Sequence, residues 1–254
     1  MDNSNELDIS TMSLGDHLEE LRMRLLLALA GLAVGVIASL LLGRHIIAFI
    51  QDPYVKVVGG DATLQTLAPA QGIASYMRIA LITGLVVSSP WVFYHLWMFV
   101  AAGLYSHERR YVYIAVPFSV ALFIAGALFF MFVVAKLSLA FLIKFDTWLG
   151  LQSNWTFPKY VTFVSLLMLV FGVAFQTPLV IFILNRTGLV SLDRLRSSRK
   201  YVFLAMFVIA AVVTPPDFIS QVTLALPLYL LFELGILLSS ISKRKSRSKQ
   251  LSEK

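Results

Sequence analysis

Four stretches of this chain carry no Asp, Glu, Lys or Arg over the length of a bilayer core. Nineteen uncharged residues separate Arg24 from Arg44, and 29 separate Arg78 from Glu108. Another 25 lie between Arg110 and Lys136, and 26 between Lys159 and Arg186. A helix needs about 20 apolar residues to cross the hydrocarbon. Inside it every backbone polar group must be satisfied within the structure, so runs of this length are read as spanning helices. Composition agrees. The chain is 58% hydrophobic and 14% charged, against about 25% charged in a typical soluble domain. A water-soluble enzyme and a disordered chain are both excluded. With no cysteine, disulfides, thiolate metal sites and Cys nucleophiles are excluded too.

The last apolar region differs from the first four. Sixteen uncharged residues run from Lys200 to Asp217 and end in Pro215-Pro216; 25 residues follow from Phe218 to Ser242, interrupted by Glu233. Two prolines stop a helix and Asp caps the next one, so Thr214–Asp217 is a turn between two short helices. At 1.5 Å per residue the first reaches roughly 24 Å, short of a ~30 Å core. The expected fold is therefore an all-α integral membrane protein with six transmembrane helices. The spans fall at about 25–43, 73–101, 111–135, 160–185, 200–214 and 218–240. An amphipathic helix at 13–24 precedes them within a membrane domain of 13–242. A flexible extension (1–12) and a basic tail (243–254) flank the domain. With six spans both termini share a side. That side carries fifteen of the Lys and Arg residues against five opposite, with Arg78 near the start of span two. This bias predicts cytoplasmic termini. It also accounts for the net charge of +7 without a nucleic-acid partner.

Two external loops, 44 to about 72 and about 140 to 158, are expected to pack on the outer face. Pro90, Pro117, Pro178 and Pro227 fall inside spans. Each removes a hydrogen bond and bends its helix, which makes a curved wall; membrane helices also simply tolerate proline. There is no internal repeat of the inverted-transporter kind.

A few polar residues need a reason. Leu14, Leu18, Leu21 and Leu25 form one stripe of a helix, with His17, Glu20 and Arg24 clustered within about 60° on its flank. Glu20 is either a presented carboxylate or half of an i,i+4 pair with Arg24. Glu108, the one carboxylate of the first loop between spans, either pairs with Arg109 or Arg110 or sits favourably at a helix start. Gln176 lies mid-span beside Pro178. It either satisfies carbonyls freed by the proline or docks a partner helix. Asp217 and Gln221 sit at the hairpin turn, where an N-cap is the simple reading. Glu233 lies deeper in span six, near its cytoplasmic end, where it either snorkels toward the interface or pairs with another segment. His95 reads as an interfacial histidine satisfied by its surroundings.

Four ordered motifs carry a resemblance. His17-Leu18-Glu19-Glu20-Leu21-Arg22-Met23-Arg24 is similar to the H-L-x-E-L-R-x-R opening of the TatC family, the multispanning subunit of the twin-arginine protein translocase. Leu104-Tyr105-Ser106-His107-Glu108-Arg109-Arg110 resembles its L-Y-x-H-E-R-R loop. Phe171 to Pro178 resembles its F-G-x-x-F-[EQ]-x-P span, and Thr214 to Gln221 its T-P-P-D-x-x-S-Q hairpin. The resemblance covers roughly residues 13 to 240.

What it implies is a receptor rather than an enzyme. Such a protein binds the twin-arginine signal peptides of folded precursors at the cytoplasmic face of a bacterial-type inner membrane. It assembles with TatA- and TatB-like single-span partners, and the proton-motive force drives export. No cofactor or metal is implied. Glu20 and Glu108 match the signal-peptide glutamates, supported by Arg22, Arg24 and His107. Gln176 and Pro178 match a polar dock for a partner helix; many relatives carry Glu at the first position, and Gln cannot titrate. Asp217, Gln221 and Pro53 match external positions tied to assembly and to the outer cap.

Two other classes compete. A small-solute transporter needs ionisable groups at mid-membrane, which the central stretches of spans one to four lack. An intramembrane enzyme needs a Ser–His, paired-Asp or metal constellation, and no carboxylate pair shares a span.

Overall fold

The computed structural model describes residues 14–59, 63–102, 109–213 and 218–252. The first helix, α1 (Leu14–Leu41), is continuous. The amphipathic segment and the first span are one rod of roughly 42 Å. After a turn at Leu42, α2 runs Gly43–Val58. The sequence reading treats this region as loop, on the strength of Asp52-Pro53, Gly59-Gly60 and Pro69. Its Ile46, Ile50, Tyr54 and Val57 nevertheless recur at helical spacing and pack into the main core. Pro53 sits inside α2 and is buried.

The next helix, α3, spans Gln71–Ala102 with Pro90 in its interior. It is followed by α4 (Arg109–Phe129), a π-helical turn (Phe130–Val134) and α5 (Ala135–Trp148). These three join end to end. The expected loop from about 140 therefore begins only after Trp148. Of this rod, Tyr113–Trp148 is apolar enough to span, and its 36 residues reach roughly 54 Å, well past a bilayer core.

The fourth apolar run divides into α6 (Phe157–Ala174) and α7 (Thr177–Arg186), separated at Phe175-Gln176. Pro178 lies in the first turn of α7, where its missing N–H costs nothing. Ser191 caps the short α8 (Leu192–Ser197), its hydroxyl accepting from the Arg194 N–H at 3.4 Å. The last pair is α9 (Arg199–Val213) and α10 (Phe218–Ser252). The helix of α10 continues through most of the basic tail.

Among the described residues, five helical stretches are long and apolar enough to cross a membrane: Leu18–Leu41, Gln71–Ala101, Tyr113–Trp148, Phe157–Arg186 and Gln221–Ser242. With 15 residues, α9 reaches roughly 22 Å and falls short.

The core is built around α6. Tyr160, Val161, Val164, Leu167 and Phe171 are essentially inaccessible and pack with Phe130, Met131, Val134 and Leu139 of the α4–α5 rod. On the other flank α1 leans on α3. A Cβ on Gly35 would lie 2.5 Å from the Gly84 carbonyl oxygen, and one on Gly84 2.7 Å from the Val36 Cα. Only glycine permits backbones this close.

At one end the two long connections are tied together. The Phe157 N–H donates to the Gln65 carbonyl at 2.8 Å, and the Gln65 N–H to the Trp155 carbonyl at 3.4 Å. Beneath them the Tyr160 hydroxyl donates to the Ile50 carbonyl at 2.6 Å. The Tyr54 ring packs 5.5 Å from the Tyr160 ring and 6.4 Å from Trp155.

Candidate functional site

The first candidate carboxylate is engaged. The Arg24 guanidinium donates to Glu20 Oε1 at 3.2 Å, and both side chains are about three-quarters covered. Four residues of helix set the two on one face, as the wheel predicts. Arg22 is exposed, as are Leu18, Leu21 and Leu25 of the expected apolar stripe. This stripe finds no partner helix among the described residues. Glu108, His107 and Asp217 lie outside the described residues.

A second polar cluster holds three helices together. The Gln176 amide donates to the Ser119 carbonyl of α4 at 2.9 Å. The indole N–H of Trp97 on α3 donates to the Ser119 hydroxyl at 2.7 Å. Ser119 is fully buried. The carbonyl that Gln176 satisfies thus belongs to a neighbouring helix, not to the turn opened by Pro178. Its Oε1 accepts no hydrogen bond among the described residues. Pro178 itself is buried against α10, where its Cα stands 3.1 Å from the place a Cβ on Gly235 would take.

The last hairpin is pinned twice. The Gln221 amide donates to the Phe207 carbonyl at 2.9 Å, joining α10 to α9 near their turn. At the far end Glu233 accepts from Arg199 at 2.8 Å and from the Tyr229 hydroxyl at 2.9 Å. Of the two readings of Glu233, snorkelling or pairing with another segment, the structure shows the pairing. Its i,i+4 relation to Tyr229 is a visible signal, but Arg199 lies 34 residues away. Two further contacts have no sequence signal. The Trp91 indole N–H donates to the Leu27 carbonyl of α1 at 2.8 Å. Arg78 bonds the Thr162 hydroxyl of α6. His95 differs from its expectation: it is buried, and neither ring nitrogen has a hydrogen-bond partner among the described residues. It meets ring edges instead, with Trp91 at 4.6 Å and Tyr94 at 5.2 Å.

Among the described residues no group of three or more His, Asp or Glu could hold a metal. What the arrangement offers is carboxylates and amides placed to accept and donate charge-assisted hydrogen bonds.

Comparison with known proteins gives a consistent result. Residues 16–227 match the family model for the Sec-independent protein translocase protein (TatC). The chain is 34% identical to the Sec-independent protein translocase protein TatC of Aquifex aeolicus, covering 94% of this chain and 99% of that one. It is 33% identical to the TatC protein of Escherichia coli K12, over 94% and 93% of the two chains. The fold is similar to the crystal structure of the twin-arginine translocase receptor TatC in DDM. The TM-score is 0.81 at 34% identity, over 88% of this chain and 99% of that chain.

Proposed function

Because the chain belongs to the TatC family of Sec-independent protein translocase proteins, a family of membrane translocase receptors rather than of enzymes, we propose that it binds the twin-arginine signal peptides of folded precursors. The observation that carries this reading is the Glu20–Arg24 pair. Glu20 already holds a guanidinium at 3.2 Å in a three-quarters covered setting. A signal-peptide arginine offers the same group with the same fork of donors. It would compete with Arg24 for the carboxylate, and Arg24 would keep Glu20 oriented until the ligand arrives. Glu108, supported by His107 and Arg22, supplies the second carboxylate. A fully exposed ion pair contributes only about 0–1 kcal/mol, so an interfacial site is needed for affinity. The apolar part of the signal peptide then lies along a curved wall made by the proline-bearing helices α3, α4, α7 and α10.

The same reading sets the topology. In it α9 is the fifth of six spans and is shorter than the bilayer core, so the membrane thins around the last hairpin. Both termini face the cytoplasm, as the Lys and Arg distribution requires, and the membrane is the bacterial inner membrane. The membrane domain covers 13–242, between a 1–12 extension and a basic 243–254 tail. Gln176 and Pro178 dock a single-span partner of the TatA or TatB type, for which the free Gln176 Oε1 is an acceptor. Gln221, with Asp217 and Pro53, shapes the outer side for assembly into an oligomer. Transport draws on the proton-motive force and needs no cofactor.

The test is peptide binding to the purified chain in detergent. The wild type should prefer a twin-arginine peptide over its twin-lysine counterpart, and Glu20→Gln or Glu108→Gln should each abolish the preference. Equal binding of both peptides by the wild type, or an unchanged preference in both variants, rejects this site.

A further inference from the structure

A cleft of about 320 Å³ opens beneath α2. It is lined by Phe49 and His45 of α2, by Val86 of α3 and by Ile124, Leu128 and Met131 of the α4–π rod. The one hydroxyl in the wall, Thr83, is turned away and donates to the Ile79 carbonyl at 2.7 Å, so it shows the cleft its methyl group. The lining is otherwise apolar apart from His45 at the rim. Next to His45 stands Arg44. Both are exposed, and neither side chain has an ion pair or hydrogen bond among the described residues. The nearest carboxylate on α2, Asp52, is already taken by Lys56 at 2.8 Å, so it does not neutralise them.

We propose that this cleft holds one acyl chain of an anionic phospholipid whose headgroup phosphate is bound by Arg44 and His45. Three observations select that occupant. A space of about 320 Å³ is far too small for a partner helix some 10–12 Å across, whereas a single hydrocarbon chain is much slimmer. Apolar walls left empty lose their dispersion contacts, which a methylene chain restores. Exposed His45 lines the cleft and exposed Arg44 is its neighbour in the chain; a guanidinium and an imidazole both donate hydrogen bonds to a phosphate, and the guanidinium matches its charge.

The consequence is a fixed lipid at the joint between α2 and the α4–π rod. It completes the packing of a helix that leans on its neighbours mainly through Ile50, Pro53 and Tyr54.

Native mass spectrometry of the full chain, released from detergent with added phosphatidylglycerol or phosphatidylcholine, reads this directly. The wild type should retain the anionic lipid about fivefold or more over the zwitterionic one. The double variant Arg44→Gln/His45→Gln should bind both alike. Leu128→Trp, which fills the cleft from the membrane side, should lower retention of both lipids while thermal unfolding in detergent confirms that the variant is folded. Should that substitution disrupt the fold, Ile124→Phe serves the same purpose. No anionic preference in the wild type, an undiminished preference in the double variant, or undiminished binding in a folded cleft-filled variant each overturns the proposal.

Discussion

The helices α1 and α6 are both apolar, and they are held in opposite ways. In α6, Tyr160, Val161, Val164 and Phe171 have no accessible surface, and neighbours surround the helix on several sides. In α1, Leu25, Leu29, Val34, Ile37 and Leu41 are all more than half exposed to what would be lipid. What fixes α1 is one seam with α3: the Gly35–Gly84 approach and the Trp91 bond to Leu27. The contrast shows that hydrophobicity says where a helix resides, while its fixation in a membrane depends on shape and hydrogen bonds. Among the described residues, the helix with the single seam is also the one that carries Glu20.

Side-chain truncation breaks the comparison most sharply. Phe171→Ala removes a fully buried ring from the centre of the core and should cost about 3–5 kcal/mol. Leu29→Ala, on the open face of α1, should leave the midpoint of thermal unfolding in detergent within error. Equal losses at both sites would mean that α1 has a hidden protein neighbour. A smaller effect is expected at the seam. Gly84→Val places a methyl group against the Val36 backbone and should cost about 1–3 kcal/mol. It should speed hydrogen exchange in α1 while leaving α6 protected; unchanged exchange in α1 would refute the seam as its anchor. Smallest is Trp91→Phe, which keeps most of the ring but loses the hydrogen bond to the Leu27 carbonyl. It should cost about 1 kcal/mol, read as a small downward shift in the same melting curve.

Much of this architecture was legible because charge is absent from the spans, and absence over nineteen or more residues is a long-range signal. The helix α2 was not legible. Asp52-Pro53 and Gly59-Gly60 read as loop signals in isolation; burial of Ile50 and Tyr54 against α6 overrides the first, and Gly59 only ends the helix. The extension of α5 through Lys144 was hidden in the same way, since an interfacial helix tolerates lysine. At the site, the Glu20–Arg24 pair could be read from spacing four. Gln176 could be singled out as costly in hydrocarbon, but its acceptor, Ser119, is 57 residues distant, and no local pattern points to it. The same holds for Arg199 and Glu233. Spacing finds partners on one helix; the packing angle of two helices decides the rest.

The tie between Gln65 and Trp155–Phe157 has a consequence for the order in which this protein is made. Gln65 leaves the ribosome early, just ahead of α3. Its partners follow only after α3 and the whole α4–α5 rod have been delivered. Until then α2 has neither Tyr160 against Ile50 nor Trp155 beside Tyr54. This end of the molecule is therefore completed late although α2 is made early, and its closure marks the moment when α6 has taken its place.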